Sequence, residues 1–117
     1  MDNDMVLFRY ADVLLMRAEA KLRLGLDGQA DFDALRDRVG MDRRELTLQN
    51  LLDERLMELC WEGWRRQDLI RFNQYESLFE GDFFDDKTDE SDGHTRLYPI
   101  PTDAITLNHN LTQNPGY

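Results

Sequence analysis

The sequence predicts an all-α fold, and three observations point to it. Apolar residues recur at helical spacing in three stretches, residues 4–24, 31–39 and 48–72. Each of the first two stretches is followed at once by a glycine, the residue that most often ends a helix. From residue 73 onward the periodicity fades. We therefore expect a helical hairpin, a third long helix, and an irregular C-terminal loop and tail.

Composition narrows the class of protein. The 117 residues suit one domain, and 41% hydrophobic content allows a packed core. No stretch approaches the roughly 18 apolar residues of a membrane span. A net charge of −10 opposes binding to nucleic acid, and Cys60 as the only cysteine excludes a disulfide framework or a multi-thiolate zinc site. The N-terminus shows no signal-peptide pattern. Either the protein is cytoplasmic or this sequence is a piece of a longer chain, and composition does not separate the two interpretations.

The first helix is predicted to be buried on more than one side. One apolar stripe runs along it, formed by Leu7, Ala11, Leu14, Ala18 and Leu22. Val13, Leu15 and Met16 widen that stripe. Gly25 ends the helix.

The second helix is short and should pack antiparallel to the first, because the connecting loop is brief. Asp31 is a candidate N-cap. Phe32, Leu35 and Val39 lie on one face. Gly40 stands where a left-handed residue would end the helix.

The third helix should begin after Thr47, a good N-cap. Its apolar side chains are Leu48, Leu51, Leu52, Leu59 and Leu69. We interpret Trp61 and Trp64, near its middle, as packing residues. Gly63 interrupts the pattern at a cost of about 1 kcal/mol relative to alanine. It therefore indicates a bend or the close approach of another backbone.

The C-terminal part combines an acidic loop, residues 76–92, with a tail, residues 97–117. Residues before proline avoid helical backbone, so the tail should begin extended. We expect one helical turn at residues 102–105 and a type II turn at residues 114–117. The apolar residues predicted to dock on the helices are Leu97, Tyr98, Ile100, Ile105, Leu107 and Leu111.

Three glutamates follow one another at i+4 on the third helix: Glu54, Glu58 and Glu62. Convergent carboxylates suit acid–base catalysis or a metal site. Helical di-metal sites pair them with a Glu-x-x-His motif, which is absent, and His94 and His109 lie outside the helices. We therefore interpret the three glutamates as structural.

Arginines should offset the repulsion between these glutamates. Our hypothesis is that Arg17, Arg36 or Arg38 crosses from the hairpin to them. Spacing within the third helix predicts pairs of Arg55 with Glu58, of Glu62 with Arg65 or Arg66, and of Asp68 with Arg65 and Arg71. The predicted ion-pair scaffold comprises Glu54, Arg55, Glu58, Glu62, Arg65, Asp68 and Arg71.

Motifs in three segments resemble one family when taken in series. Residues 9–25 read RYADVLLMRAEAKLRLG, residues 34–40 ALRDRVG, residues 54–72 ERLMELCWEGWRRQDLIRF, and residues 97–117 LYPIPTDAITLNHNLTQNPGY. Together they resemble the C-terminal part of the SusD/RagB family. The stretch at residues 54–72 matches that family's pattern E-R-x-x-E-L-x-x-E-G-x-R-x-x-D-L-x-R at every fixed position. Asp12 and Val39 replace the glutamate and alanine that are usual in the first motif pair.

The resemblance implies a fold and a role. Family members, from Bacteroidetes, have TPR-like helical repeats and sit on the outer-membrane surface by a lipidated N-terminal cysteine. They bind glycans, sometimes peptides, for uptake through a SusC-like TonB-dependent transporter, without catalysis or a cofactor. They are several times longer, so this chain is expected to be a C-terminal fragment whose lipid anchor lies outside it. We expect no membrane insertion by this segment and no nucleic-acid partner.

Ligand contacts in the family come from variable, largely aromatic loops. The candidates here are Tyr75, Phe83 and Phe84, although the two phenylalanines could simply anchor the loop. The acidic run at residues 85–93 suits calcium in composition, but the EF-hand template puts Pro99 where its bidentate glutamate should stand. We therefore predict no metal site.

Two other functions stay open at this point. One is a TPR-like module that contacts the transporter without touching ligand. The other is a glycosidase that uses Glu58 and Glu62, whose spacing on adjacent turns does not exclude a retaining mechanism. Neighbouring arginines argue against it, because they favour two ionised acids and leave no proton donor.

Overall fold

A computed structural model describes residues 6–76 and 93–117. These residues form a 3₁₀ helix, His94–Arg96, and five α-helices, α1 Tyr10–Arg23, α2 Gln29–Arg38, α3 Leu48–Glu58, α4 Arg65–Arg71 and α5 Thr102–Leu107. No strand occurs among the described residues, and the predicted all-α class is confirmed. The chain divides into two compact units, Met1–Phe72 and Asn73–Tyr117.

The core of the first unit lies where α1, α2 and α3 meet. It consists of Ala11, Leu15, Ala18, Phe32, Leu35, Leu46 and Leu51, with Leu22 and Phe72 packed against it. Gly28 permits the tight hairpin, because a Cβ there would lie 2.8 Å from the Ala18 carbonyl oxygen and 2.9 Å from Leu46 Cδ2. The left-handed backbone of Gly25 ends α1 as predicted, with φ +72°.

The first helix starts later than predicted. Arg9 is extended, with φ −113° and ψ 155°, so α1 begins at Tyr10 and Leu7 remains 71% exposed. Residues 4 and 5, where we expected the helix to begin, lie outside the described residues. Val13 and Met16, which we predicted to widen the buried stripe, are exposed.

The second helix starts earlier than predicted, and its proposed cap is wrong. Gly28 is the N-cap residue, and Asp27 Oδ1 accepts a hydrogen bond from the Gln29 amide at 2.8 Å. Asp31 instead faces α1, where a tertiary ion pair is available to its carboxylate. Val39, predicted to face inward, lies beyond the helix and is exposed.

The predicted single helix over residues 48–72 is wrong, because it is broken into α3 and α4. Thr47 caps α3 as predicted, its Oγ1 accepting from the Asn50 amide at 3.1 Å. The connecting turn has left-handed backbone at Trp61, φ +66°, and Gly63, φ +79°. Nothing lies within 4 Å of a Cβ built on Gly63, so the glycine serves the turn and not a close approach. The same conformation at Trp61 costs about 1–2 kcal/mol.

The tail of the second unit is held together by the side chains of its closing motif. The Gln113 amide bonds both to the Ile100 amide nitrogen, at 2.8 Å, and to its carbonyl oxygen, at 2.9 Å. Asn114 donates to the Tyr98 carbonyl, and the Tyr117 hydroxyl donates to the Leu97 carbonyl. The predicted turn at residues 102–105 is part of α5, which continues to Leu107. Four of the tail residues predicted to dock on helices are exposed: Leu97, Tyr98, Leu107 and Leu111.

Gly116→Ala should loosen this tail. Gly116 has φ +91°, and a Cβ there would lie 2.5 Å from His94 Cβ. We expect the Ile100 amide, which Gln113 holds, to exchange its hydrogen about tenfold faster, as a cost of about 1.4 kcal/mol implies. Gly40→Ala is the matched control, since Gly40 has φ +69° but open space around its Cβ. Unchanged exchange at Ile100 in Gly116→Ala would refute the account of the tail.

Candidate functional site

A buried ion triad joins three helices of the first unit. Arg55 on α3, whose side chain is 2% exposed, donates from Nη1 to Asp12 Oδ1 on α1 and from Nε to Asp68 Oδ2 on α4, both at 2.8 Å. Both aspartates are buried as well. Asp12 Oδ2 is buried and has no hydrogen-bond partner among the described residues. The triad therefore fixes α1, α3 and α4 relative to one another around one guanidinium group.

The triad continues outward through further ion pairs. Arg71 donates to Asp68 at 2.8 Å and to both carboxylate oxygens of Glu19, at 2.6 and 3.0 Å. Arg23 donates to the same glutamate at 2.8 Å. The guanidinium groups of Arg23 and Arg71 lie 4.9 and 5.3 Å from the centroid of the Phe72 ring, in cation–π geometry. We call this set the Arg55 network: Asp12, Arg55, Asp68, Arg71, Glu19 and Arg23.

The three glutamates each meet an arginine from outside α3. Glu54 pairs with Arg36 of α2, and both side chains are buried. Glu58 accepts from Arg9 at 2.7 Å and from Arg38 at 3.0 Å. Arg9 also donates from Nε to Glu62 at 2.9 Å. The arginines therefore connect the hairpin to α3 and to the turn after it.

Our hypothesis about the crossing arginines is right for Arg36 and Arg38 and wrong for Arg17. Arg17 remains within the hairpin, where it pairs with Asp31 together with Lys21. Sequence reasoning missed Arg9 as a partner. Its position, immediately before the first helical residue and first in the helix-pair motif, was the available signal.

The ion pairs predicted within the third helix are mostly replaced by tertiary ones. Arg55 bonds to Asp12 and Asp68 instead of Glu58, because helix α3 ends at Glu58 and its neighbours α1 and α4 supply the buried acids. Arg65 donates weakly to the Leu52 carbonyl, at 3.4 Å. The predicted pair of Asp68 and Arg71 is present.

Hydrogen bonds from arginines shift the pKa values of several carboxyl groups. Burial alone would raise the pKa of Glu19, but bonds from Arg71 and Arg23 outweigh it and hold that pKa below its usual range. The hydrogen bond from Arg17 lowers the pKa of Asp31, against its burial. In the second unit, the hydrogen bond from Arg96 lowers the pKa of Glu76.

Acid should therefore destabilise the protein. A carboxyl whose folded pKa is lowered contributes stability above its unfolded pKa, about 4, and loses that stability as pH falls through the folded value. We expect the Tm to be nearly constant between about pH 7 and 5 and to fall below about pH 4. Glu19→Gln, which cannot ionise, should have a lower Tm at pH 7 and a shallower acid decline. A Tm that rises on acidification from pH 5 to 3 would contradict this expectation.

The aromatic candidates are only partly within the described residues. Tyr75 is half-buried at the beginning of the second unit. Phe83 and Phe84 lie outside the described residues, as does most of the acidic run at residues 85–93. Trp64 is half-buried and 5.7 Å from Phe8 between ring centroids. The predicted packing of Trp61 is not found within the described part of the chain, where its side chain is 100% exposed.

Residues 6–76 and 93–117 contain neither a metal-binding cluster nor a membrane-spanning helix. No group of three or more His, Cys, Asp or Glu side chains there is arranged to hold a metal ion. No helix in these ranges is long and apolar enough to span a membrane. A hollow of about 540 Å³ lies between α1 and α2, and its lining includes Ala30, Ala34, Arg9, Arg17 and Arg38.

Fold and site together define an all-α protein whose motif residues tie helices together by buried arginine–carboxylate pairs. Comparison with known proteins then supplies the family. The sequence model of the SusD family matches residues 1–117, and the chain belongs to that family. It is 39% identical over 123 aligned positions to the "Starch-binding protein SusD" of Bacteroides thetaiotaomicron, covering 99% of this chain and 22% of that protein. It is 33% identical over 89 positions to the "SusD-like protein P38" of Formosa agariphila, covering 62% and 18%. The chain thus spans about a fifth of the length of these relatives.

Proposed function

We propose that this chain is the C-terminal segment of a glycan-binding component of nutrient uptake, which works with a SusC-like TonB-dependent transporter. The single observation that carries the proposal is the 39% identity to a starch-binding protein over 99% of the chain. The whole protein is placed at the outer-membrane surface by an N-terminal lipid anchor that lies outside this sequence. Within it, these residues act as scaffold.

The ion-pair geometry supports a scaffold role for the motif residues. Glu54, Glu58 and Glu62 all accept hydrogen bonds from arginines of other elements. Glu58 and Glu62 share Arg9, which engages both carboxylates, whereas a glycosidase needs one of them as a proton donor to its substrate. We therefore propose a non-catalytic protein. Recognition of the glycan falls to other side chains, for which Tyr75, Phe83 and Phe84 are the candidates.

A chimera tests the proposal. These 117 residues would replace the aligned segment of the starch-binding protein SusD, and retention on starch would be measured by affinity electrophoresis. We expect a folded chimera that is retained about as strongly as the parent, and no release of reducing sugar. A chimera with parent-like circular dichroism and a cooperative melt, but no retention, would contradict the proposal.

Alanine variants of the aromatic candidates separate ligand contact from pure scaffolding. In the chimera, Tyr75→Ala and the double variant Phe83→Ala/Phe84→Ala should weaken retention if these rings touch the glycan. The alternative is a TPR-like module that contacts the transporter only, and the hollow between α1 and α2 favours it. It predicts unchanged retention in these variants and loss of transporter co-purification when Ala34→Arg fills the hollow.

A further inference from the structure

An apolar patch surrounds the turn that separates α3 from α4. We call it the Trp61 patch, and it consists of Leu56, Met57, Cys60 and Trp61, all exposed. A hollow of about 400 Å³ lies beside it and has a mainly apolar lining. Isolated exposed apolar residues are normal, but four neighbours that include a fully exposed tryptophan mark a contact surface.

The backbone beneath the patch is strained. Trp61 has φ +66°, a conformation that bulky side chains rarely adopt. Such residues persist where surrounding contacts hold them in place. Trp61 is 100% exposed, so the residues described here supply no packing that would hold its ring. The strain and the exposure together indicate that contacts which stabilise this turn come from elsewhere.

The same unit buries charge while it exposes tryptophan. Asp12, Arg55 and Asp68 are almost completely buried, and Arg55 directly precedes Leu56 of the patch. The aligned part of the starch-binding protein SusD is 22% of its length, and almost four-fifths of that polypeptide has no counterpart here. A polypeptide of that extent is large enough to cover the patch.

We propose that the Trp61 patch is an internal packing surface, covered by the part of a SusD-type polypeptide that lies outside these 117 residues. The inference rests on the proposed function, which makes this chain one segment of a longer protein. The patch has no charged member, and its polar donors are the indole N–H of Trp61 and the weakly donating thiol of Cys60, so its occupant presents mainly apolar side chains. A glycan or a second copy of this chain is an alternative occupant that the test distinguishes.

Cys60 supplies the probe, because it is the only cysteine in the chain and lies in the patch. Its rate of reaction with a thiol reagent such as DTNB would be measured in the 117-residue chain and in the SusD chimera, with mass spectrometry to locate the modified cysteine. We expect at least tenfold slower reaction in the chimera. Equal rates in both would overturn the proposal, as would a chimera that does not fold, since the surfaces would then not match.

Trp61→Gly gives a second readout, because its effect on the Tm should have opposite signs in the 117-residue chain and in the chimera. Glycine relieves the left-handed backbone, so the variant should keep or raise the Tm of the 117-residue chain. In the chimera it should lower the Tm by several degrees and restore the reactivity of Cys60. Asn73→Gly is the matched control, because Asn73 is the other non-glycine residue with positive φ, at +57°, among the described residues. Its effect should be the same in both proteins.

The alternative occupants give distinct results. Protection of Cys60 in the 117-residue chain that disappears on dilution would assign the patch to a second copy and overturn the proposal. Protection by added maltoheptaose in that chain would assign it to a glycan, with the same consequence. Starch retention by the chimera is scored separately: protected Cys60 without retention supports the packing surface and contradicts the proposed function.

Discussion

Replacing Arg55 with methionine should destabilise the first unit by about 3–5 kcal/mol, the cost of leaving buried charge unpaired. The change removes the guanidinium group between Asp12 and Asp68 and keeps an unbranched apolar side chain about as long as the aliphatic part of arginine. Because the total stability of a small domain is about 5–15 kcal/mol, this loss is a large fraction of it. Urea unfolding followed by circular dichroism would measure the change, with the m-value as a check that the unfolded state is unaltered.

Two further variants make the Arg55 result interpretable if the methionine variant does not fold. Arg55→Lys retains the charge but cannot donate from two positions of a planar group, so a smaller loss is expected. Arg43→Ala removes an arginine whose side chain is 65% exposed and which pairs with Asp37 at the surface, so it should cost much less than Arg55→Met. Equal losses for Arg43→Ala and Arg55→Met would show that burial of the triad has no energetic consequence.

Arg36→Met should cost a similar amount, about 3–5 kcal/mol, because it leaves Glu54 buried without its partner. The double variant Arg36→Met/Glu54→Leu should recover most of the loss, since an apolar pair of similar volume carries no desolvation cost. Full recovery is not expected, because Arg36 Nε also donates to the Asp42 carbonyl at 2.6 Å. Urea unfolding of the three variants would measure both effects. A double variant less stable than Arg36→Met would contradict this account of the pair.

Much of the fold could be predicted because it depends on local signals. Helical spacing located the hairpin, and the glycines after its helices mark left-handed positions at Gly25 and Gly40. The Thr47 cap needed only its own side chain and the following turn. Family motifs placed these elements in order.

The remaining features depend on tertiary partners that spacing does not reveal. Gly63 signalled a bend, but the left-handed conformation of Trp61 is what separates α3 from α4. Spacing rules paired Arg55 within its own helix, whereas buried aspartates of α1 and α4 offer it a better site. Sequence position likewise predicts Asp31 as an N-cap, because it does not reveal that the carboxylate forms an ion pair with α1.

The candidate site was predicted in part. Glu54, Glu58 and Glu62 were interpreted as structural, and each meets a crossing arginine. The absence of a Glu-x-x-His motif was enough to argue against a helical metal site. The ligand-contacting residues could not be predicted to the same extent, because aromatic residues in a loop have no periodicity that would separate an anchor from a binding surface.

Buried arginine–carboxylate pairs hold these helices together, and a double-mutant cycle of Arg55→Met and Asp68→Asn would measure that contribution. The two side chains are 2.8 Å apart at their closest polar atoms and both are buried. We expect a coupling free energy of at least about 1 kcal/mol, so that the double variant is clearly more stable than the sum of the two single losses implies. Additivity within about 0.5 kcal/mol would contradict it.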